Sequence, residues 1–371
     1  MRNRMGTVAA VETTTVSALA KRGLRVRGQR VVHDASTFTL VRVITDEGIE
    51  GYGEVSATAA WSGEDDVTAT HFIRHLLGPM LVGKPLEPIS EHAREFDRVL
   101  RGNWFTKAAV STALWDALGR TRGVAVAELL GGPFRSEVPV KISISGDGDD
   151  LRESYETAAA LGFRSLKVKV GRDPEADVAR VRLARELAGE DAPIGVDANG
   201  GWPLAVALDT VARLAESNIE FIEQPVAADD LEGLRDVRAL GIPVVADETV
   251  YSPADVRRLG KLGAADIVSV YVGKSAGLEQ AVESVRLASA LGMSAVIGAN
   301  GEMGLGAAAQ LHVACACETL GPIPHGISGH HFYEHDPTLA TSLDIDGVVA
   351  RLPSGPGLGV EIAEDVRRRF S

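Results

Sequence analysis

The first 130 residues change their hydrophobic period once. Thr39-Leu-Val-Arg-Val-Ile-Thr45 is rich in β-branched residues, Asp46-Glu-Gly48 supplies turn chemistry, and Ile49 to Val55 returns; together they predict a hairpin. Helical spacing then takes over in three segments, Asp65–Leu81, Ile89–Leu100 and Phe105–Arg122. In the last of these Ala109, Ala113, Trp115, Ala117 and Leu118 form an apolar stripe. Strands followed by helices predict an α+β domain over residues 1–130. From Val138 short apolar runs alternate with amphipathic stretches. The runs are Val138–Ile144, Ser165–Val170, Ile194–Ala198, Phe221–Glu223, Val244–Ala246, Ile267–Val272 and Ala295–Gly298. Between them lie helix-length segments such as Pro174–Leu187, Pro203–Ser217, Leu231–Leu240, Pro253–Leu262 and Leu278–Leu291. Pro174, Pro203 and Pro253 sit where a first-turn proline is tolerated, and Gly162, Gly241 and Gly292 where a helix ends on a left-handed residue. Seven strand–helix alternations predict a parallel α/β barrel over residues 131–335. An open doubly wound sheet binding a dinucleotide would want a glycine-rich phosphate turn after its first strand, which Ser145-Gly-Asp-Gly-Asp149 matches poorly. A last helix over Gly306–Thr319 precedes a loop-rich tail. Residues 336–371 are expected to return to the N-terminal domain.

Composition narrows the partners. The 371 residues carry 38 basic and 51 acidic side chains, a net charge of −13, and no basic face for nucleic acid or anionic lipid is evident. No apolar run approaches the roughly 18 residues of a membrane span, and the first ten residues lack the apolar core of a signal peptide. A cytoplasmic protein is expected. Its two cysteines, Cys315 and Cys317, would lie about 200° apart on a helix, unable to bridge. They read as small buried residues in a reducing compartment.

The chemistry lies where polar groups interrupt the apolar runs. Lys169 ends the second barrel run, Asp197 the third, Glu223 the fourth and Asp247 the fifth; Lys274 follows the sixth and Glu302 the seventh. They recur at intervals of 24 to 28 residues, one strand–helix unit each. Any one of them alone reads as a solvated loop residue. In a parallel barrel, though, the C-terminal strand ends converge on one mouth, so the repeat gathers all six in a small volume. Neighbouring carboxylates repel unless protonated or bound to a cation, and an all-oxygen set suits Mg²⁺. Lysines beside that positive charge are pushed toward the neutral amine, the form that acts as a base. The chemistry that suits such a ring is removal of a proton next to a carboxylate, with Mg²⁺ stabilising the enolate.

These residues resemble the enolase superfamily, and within it the muconate-lactonizing (muconate cycloisomerase) subgroup, over nearly the whole chain. Lys167-Val-Lys169, Asp197-Ala-Asn199, Ile222-Glu-Gln-Pro225, Ala246-Asp-Glu248 and Gly273-Lys274 followed by Gly277 match that subgroup's motifs on barrel strands two to six. The resemblance implies a modified TIM barrel, (β/α)7β, under an N-terminal α+β capping domain. It implies Asp197, Glu223 and Asp247 as ligands to Mg²⁺ (with Mn²⁺ able to substitute), and Lys169 and Lys274 as the acid/base pair. Lys167 would support Lys169; Asn199, Glu248 and Glu302 would lie around the metal or substrate. The activity implied is cycloisomerization, or racemization or epimerization, of a small carboxylate. The alternative is dehydration of a hydroxy acid or hydroxyproline-like substrate. A catalytically silent barrel is disfavoured, since it has no need of buried like charges.

Lys274 separates the chain from the mandelate-racemase branch, which would call for a His–Asp pair late in the barrel. Two further departures bear on substrate. The last-strand Asp-x-Asp of dipeptide epimerases is missing from Pro324-His-Gly-Ile-Ser-Gly-His-His-Phe332, and no Met-Leu pair precedes Glu302. Specificity is expected from two capping loops. Lys21 to His33 is basic, and its Arg25 and Arg27 are positioned either to meet a second carboxylate or to be solvated. Ser56 to Asp66 carries Trp61, either a cover for the mouth or a packing residue. His325, His330, His331 and His335 read as capping or solvent-facing groups. The expected partners are a small carboxylate and further copies of the chain, a homo-oligomer.

Overall fold

The structure, a computed structural model, describes residues 6–25 and 34–371. Its N-terminal part is an antiparallel meander of β1 (Val8–Leu19), β2 (Ala35–Thr45) and β3 (Glu50–Val55). The predicted hairpin is β2–β3, with Leu40 opposite Glu54 and Arg42 opposite Tyr52. β1 was not anticipated: Val8-Ala-Ala-Val-Glu-Thr-Thr-Thr-Val-Ser-Ala-Leu19 alternates poorly because most of its positions are only partly covered. The helix Trp104–Arg122 lies directly across β3. Gly53 permits this approach, since a Cβ there would stand 2.0 Å from the carbonyl oxygen of Ala109.

Seven parallel strands form the second sheet: β5 (Ile142–Ile144), β6 (Leu166–Lys169), β7 (Ile194–Asp197), β8 (Ile222–Glu223), β9 (Val244–Ala246), β10 (Ile267–Val270) and β11 (Ser294–Ile297), paired in sequence order. The run Val138–Ile144 divides in two. Its first part, β4 (Glu137–Pro139), pairs antiparallel with β12 (Val349–Arg351), outside the barrel. Helix starts follow the sequence signals. Asp173 accepts from the Ala176 amide at 2.9 Å with Pro174 in the first turn, and Ser252 with Pro253 does the same service further on. Gly162, Gly241 and Gly292 have φ of 92°, 90° and 77°.

The eighth rung is an extended segment with no helix of its own. On one side Gly321 and Gly326 donate to Ala295 O and Ile297 O at 2.6 and 2.7 Å. On the other His325 donates to Pro139 O at 2.8 Å and Lys141 donates back to His325 O at 2.9 Å. These bonds close the sheet into the (β/α)7β barrel. The buried His325 ring belongs to the seam, its Nδ1 accepting from the Ile297 amide at 3.0 Å. Phe221, Val245, Ile267, Val296 and Ile323 form a separate apolar cluster from β8 to the eighth rung. The tail returns to the capping sheet: Arg74 donates to Ser371, Arg367 pairs with Glu50 at 2.8 Å, and Arg42 lies over the Phe370 ring. Cys315 and Cys317 are free and buried. Among the described residues no helix is long and apolar enough to cross a membrane.

Burial, with Lys141 and Arg135 nearby, pushes the His325 imidazole down to about 3. The unfolded chain takes up that proton near pH 6.5 while the folded chain refuses it, so the seam loses stability as pH falls from about 6.5 toward 3. Urea unfolding across that range should show His325→Gln with a shallower acid loss than wild type, by up to about 1.4 kcal/mol per pH unit.

Candidate active site

Strand register brings the predicted residues together. Lys169 is the Cα partner of Asp197 across β6–β7, and Asp197 is the partner of Glu223 across β7–β8. Glu223 then faces Val245, so Asp247, two residues on, stands one side-chain layer higher on the same face. Lys167, Lys169, Asp197, Glu223 and Asp247 thus fall on the inward positions of four adjacent strands.

Inside the barrel these groups neutralise one another. Lys167 donates to Glu223 Oε1 at 2.6 Å and pairs with Asp197 Oδ2 at 2.9 Å. Lys169 donates to the same Asp197 oxygen at 2.7 Å and to Asn199 Oδ1 at 3.0 Å. Lys274, with no exposed side-chain surface, donates to the Asp247 carboxylate, to Asp247 O at 2.7 Å and to Ser269 O at 3.0 Å. Burial alone would raise the Asp197 carboxyl; the ammonium groups of Lys167 and Lys169 outweigh it and hold it below the usual carboxylate range. Burial likewise works against the charge on Lys167, and Asp197 and Glu223 overcome it, raising its pKa. Glu223, buried and beside two other carboxylates, is pushed up to about 6 despite Lys167.

Asn199 and Glu248 lie beside this set. Asn199 takes a left-handed backbone conformation, φ 46°, which asparagine tolerates. Its Nδ2 donates to Glu248 Oε1 at 2.9 Å while its oxygen faces Lys169. Burial, then Asp247 and Asp197, pushes Glu248 up to about 7. Trp61, from the capping domain, donates its indole N–H to the same Glu248 oxygen at 3.1 Å. It therefore both packs and bonds at the mouth. Glu302 is buried with Glu54 at the contact between the two domains, its Oε2 accepting from the Asn300 amide at 2.9 Å. It does not line the cavity of about 100 Å³ that holds Lys167 and Lys169, whose other walls include Ala20, Leu24, Ser143, Phe332 and Tyr333. Arg25 points to Asp34 at 3.6 Å, and its backbone carbonyl accepts from Ser145; Arg27 lies outside the described residues.

Three contributors were not anticipated. Tyr271 donates its hydroxyl to Asp247 Oδ2 at 2.8 Å, and its ring lies 4.0 Å from Lys274 Nζ. A Cβ on Gly298 would overlap that ring at 2.0 Å, so glycine makes room for it. Gln224, at φ 37°, accepts from the Asp247 amide at 2.9 Å and so orients that loop. Lys141, buried over the Phe221 ring and donating to Pro324 O, is pushed down to about 7 by desolvation. A lone lysine inside the apolar run Val138–Ile144 was the available signal for it. Of the four tail histidines, His330 and His331 pack ring to ring at 4.3 Å and His325 serves the seam.

The donor set fits a hard divalent cation by chemistry. Asp197, Glu223 and Asp247 offer only carboxylate oxygens from three consecutive strands, and the hydrogens now on them come from lysines, a tyrosine and the Asn199 amide. Among the described residues no three acidic, histidine or cysteine side chains already stand close enough to form a ready-made cage.

A capping domain over a barrel whose strand ends carry this lysine–carboxylate set defines an enzyme of the enolase superfamily. Residues 10–131 match the mandelate racemase / muconate lactonizing enzyme N-terminal domain, and residues 150–366 the enolase C-terminal domain-like family. The chain belongs to the mandelate racemase / muconate lactonizing enzyme family. It is 34% identical over 351 residues to muconate cycloisomerase 1 of Rhodococcus opacus, covering 91% of each chain. It is 33% identical over 335 residues to the N-succinyl-L-Arg/Lys racemase of Bacillus cereus, covering 90% of this chain and 89% of that one. The solved structure of the Bacillus cereus N-succinyl Arg/Lys racemase superposes with a TM-score of 0.90 at 30% identity, covering 98% and 97% of the two chains.

Lys167 supplies the hydrogen-bonded ammonium of the buried Glu223, so removing it strands that carboxylate, while Asp197 keeps Lys169. Lys167→Met should lower stability by about 3–5 kcal/mol in urea unfolding without divalent ions. Millimolar Mg²⁺ should recover part of that loss, because a cation can take up the vacated oxygens.

Proposed function

We propose that this enzyme removes the proton next to the carboxylate of a small carboxylate substrate and returns it, racemizing or epimerizing that carbon. The observation that carries the reading is the placement of Lys169 and Lys274. Each is held to a carboxylate of the same three-strand set, and they reach it from strand ends four rungs apart. Asp197, Glu223 and Asp247 would hold Mg²⁺, with Mn²⁺ as a substitute. When bound, that cation supplies positive charge which stabilises the developing enolate and disfavours the lysines' ammonium forms.

In the forward direction one lysine, as the neutral amine, takes the α-proton, and the C–H electron pair moves into the carbon–carboxylate system as an enolate. The ammonium of the opposite lysine then returns a proton to the other face, so charge and protons balance. Lys167 pairs with Asp197 and Glu223 and offsets part of their charge. Ser143 and the apolar walls Ala20, Leu24 and Phe332 surround the substrate's remainder. Cycloisomerization of a muconate-like substrate is the second reading, favoured by the 34% identity to a muconate cycloisomerase over 91% of the chain. There the substrate's far carboxylate adds to the double bond, the electron pair moves into the enolate, and one of the two lysines, as ammonium, protonates it.

Proton NMR in D₂O with Mg²⁺, on N-succinyl-L-lysine, N-succinyl-D-lysine and cis,cis-muconate, tests the proposal. The wild type should exchange the α-proton of the succinyl amino acids. Lys169→Ala and Lys274→Ala should each abolish racemization, a loss of roughly 10²–10⁴-fold or more, while each keeps exchange from the one enantiomer its surviving lysine serves. Either variant racemizing at near the wild-type rate would sink the two-lysine reading. Lactone formation from muconate would select the second one.

A further inference from the structure

Trp61 lies in the short helix Ala59–Ser62 of the capping domain, yet two chains of contacts run from its one side chain to the two barrel lysines. The first is polar. The indole N–H donates to Glu248 Oε1 at 3.1 Å, Asn199 Nδ2 donates to that same oxygen at 2.9 Å, and Asn199 Oδ1 accepts from Lys169 at 3.0 Å. Glu248 Oε2 is buried with no hydrogen-bond partner among the described residues, so Oε1 alone anchors the carboxylate and Trp61 supplies one of its two donors. The second chain is aromatic. The indole stacks on Tyr271 at 5.7 Å with 11° between the planes. Tyr271 donates to Asp247 and lies 4.0 Å from Lys274 Nζ, while Trp61 and Tyr251 stand at 5.9 Å from the same nitrogen.

The loop carrying Trp61 is tied at both ends. Asn300 donates to Ser56 O at 2.9 Å and Ser56 donates back to Asn300 O at 3.2 Å. At the other end the buried Glu64 accepts from the amides of Phe105 and Thr106 at 3.1 and 2.9 Å and from the Thr106 hydroxyl at 2.7 Å. The side chain is thereby placed between a tie to the barrel loop after β11 and a tie to the capping helix Trp104–Arg122.

We infer that Trp61 is a positioning residue for both lysines: its N–H fixes the Lys169 arm through Glu248 and Asn199, and its ring face fixes the Lys274 arm through Tyr271. The catalytic pair is then aligned only when the capping loop is seated. This inference rests on the two-lysine reading for its kinetic consequences, though the contacts themselves stand apart from it.

The two arms can be cut separately. Trp61→Phe keeps an aromatic face against Tyr271 and loses the N–H; Trp61→Leu loses both. With N-succinyl-L-lysine and N-succinyl-D-lysine in D₂O and Mg²⁺, Lys169→Ala and Lys274→Ala first identify the enantiomer each lysine serves. Trp61→Phe should then slow exchange of the enantiomer served by Lys169 roughly tenfold, through kcat with KM nearly unchanged, and leave the other within about twofold. Trp61→Leu should slow both. Glu248→Met, which removes the shared acceptor, should reproduce the selective loss, and the Trp61→Phe/Glu248→Met double variant should be no slower than the slower single, since both act through one arm. Equal slowing of both enantiomers by Trp61→Phe, or a rise in KM alone, would mean that Trp61 merely fills the mouth, and overturns the inference.

Should wild type exchange neither probe, it is the proposed function that fails on these compounds. The inference is then read from the side-chain ammonium ¹⁵N spectrum, with Lys169 and Lys274 assigned by Lys→Arg variants. Trp61→Phe must shift the Lys169 resonance and spare that of Lys274, and an unmoved Lys169 signal overturns it.

Discussion

An ammonium or a carboxylate taken out of water into a barrel costs several kcal/mol unless an opposite charge meets it at hydrogen-bond distance. This chain places Asp197, Glu223 and Asp247 on three consecutive strands and sets Lys167, Lys169 and Lys274 against them, each lysine within reach of at least one carboxylate. Much else follows from that pairing. Register must hold Lys169 level with Asp197 and Asp197 level with Glu223, since a slip of one residue would turn those groups outward into the helix layer. The charge balance of the barrel interior and its stability are thus set by the same contacts.

The capping domain acts on this charged interior through few groups. Glu54 from β3 accepts the amides of Met303 and Gly306 at 2.8 and 3.0 Å, at the start of the helix Gly304–Ala316. Asn300 and Ser56 exchange hydrogen bonds, and Trp61 reaches Glu248. A carboxylate at a helix N-terminus meets unpaired amides and the positive end of the dipole, which makes Glu54 a fitting clamp between the two units. The cavity beside Lys167 and Lys169 is built from smaller parts: Ala20 and Leu24 from the cap, Ser143 from the first rung, and Phe332 and Tyr333 from the tail.

The barrel and its ladder were readable because two periodicities coincide. Alternation within each strand marks an inward face, and the strand–helix repeat brings one ionisable group to each mouth position. Lys169, Asp197, Glu223 and Asp247 obey both, whereas Lys274 keeps the repeat but stands on the turn after β10. Tyr271 obeys them as well, but an aromatic residue in an apolar run looks like core until its hydroxyl is seen on Asp247. The contact from Trp61 to Glu248 spans 187 residues and two domains, and no local pattern encodes it. Glu302 has the spacing of the ladder, yet its loop sets it beside Glu54: the Asn300 amide donates to Glu302 and the Met303 amide to Glu54. β1 escaped notice for the opposite reason: partial cover leaves little selection for alternation, so Thr13, Thr14 and Thr15 follow one another.

The seam of the barrel differs in kind from its rungs. Each of the inner strands pairs with a neighbour one strand–helix unit away, whereas Lys141 and Pro324, joined across the closure, are 183 residues apart. Bringing distant chain segments together carries a loop entropy that nearby pairs avoid, and it is repaid only once the intervening rungs already hold the two edges close. Ring closure is therefore the most non-local event in forming the barrel. The eighth rung, with no helix of its own and a histidine inside it, is where an opening sheet would part.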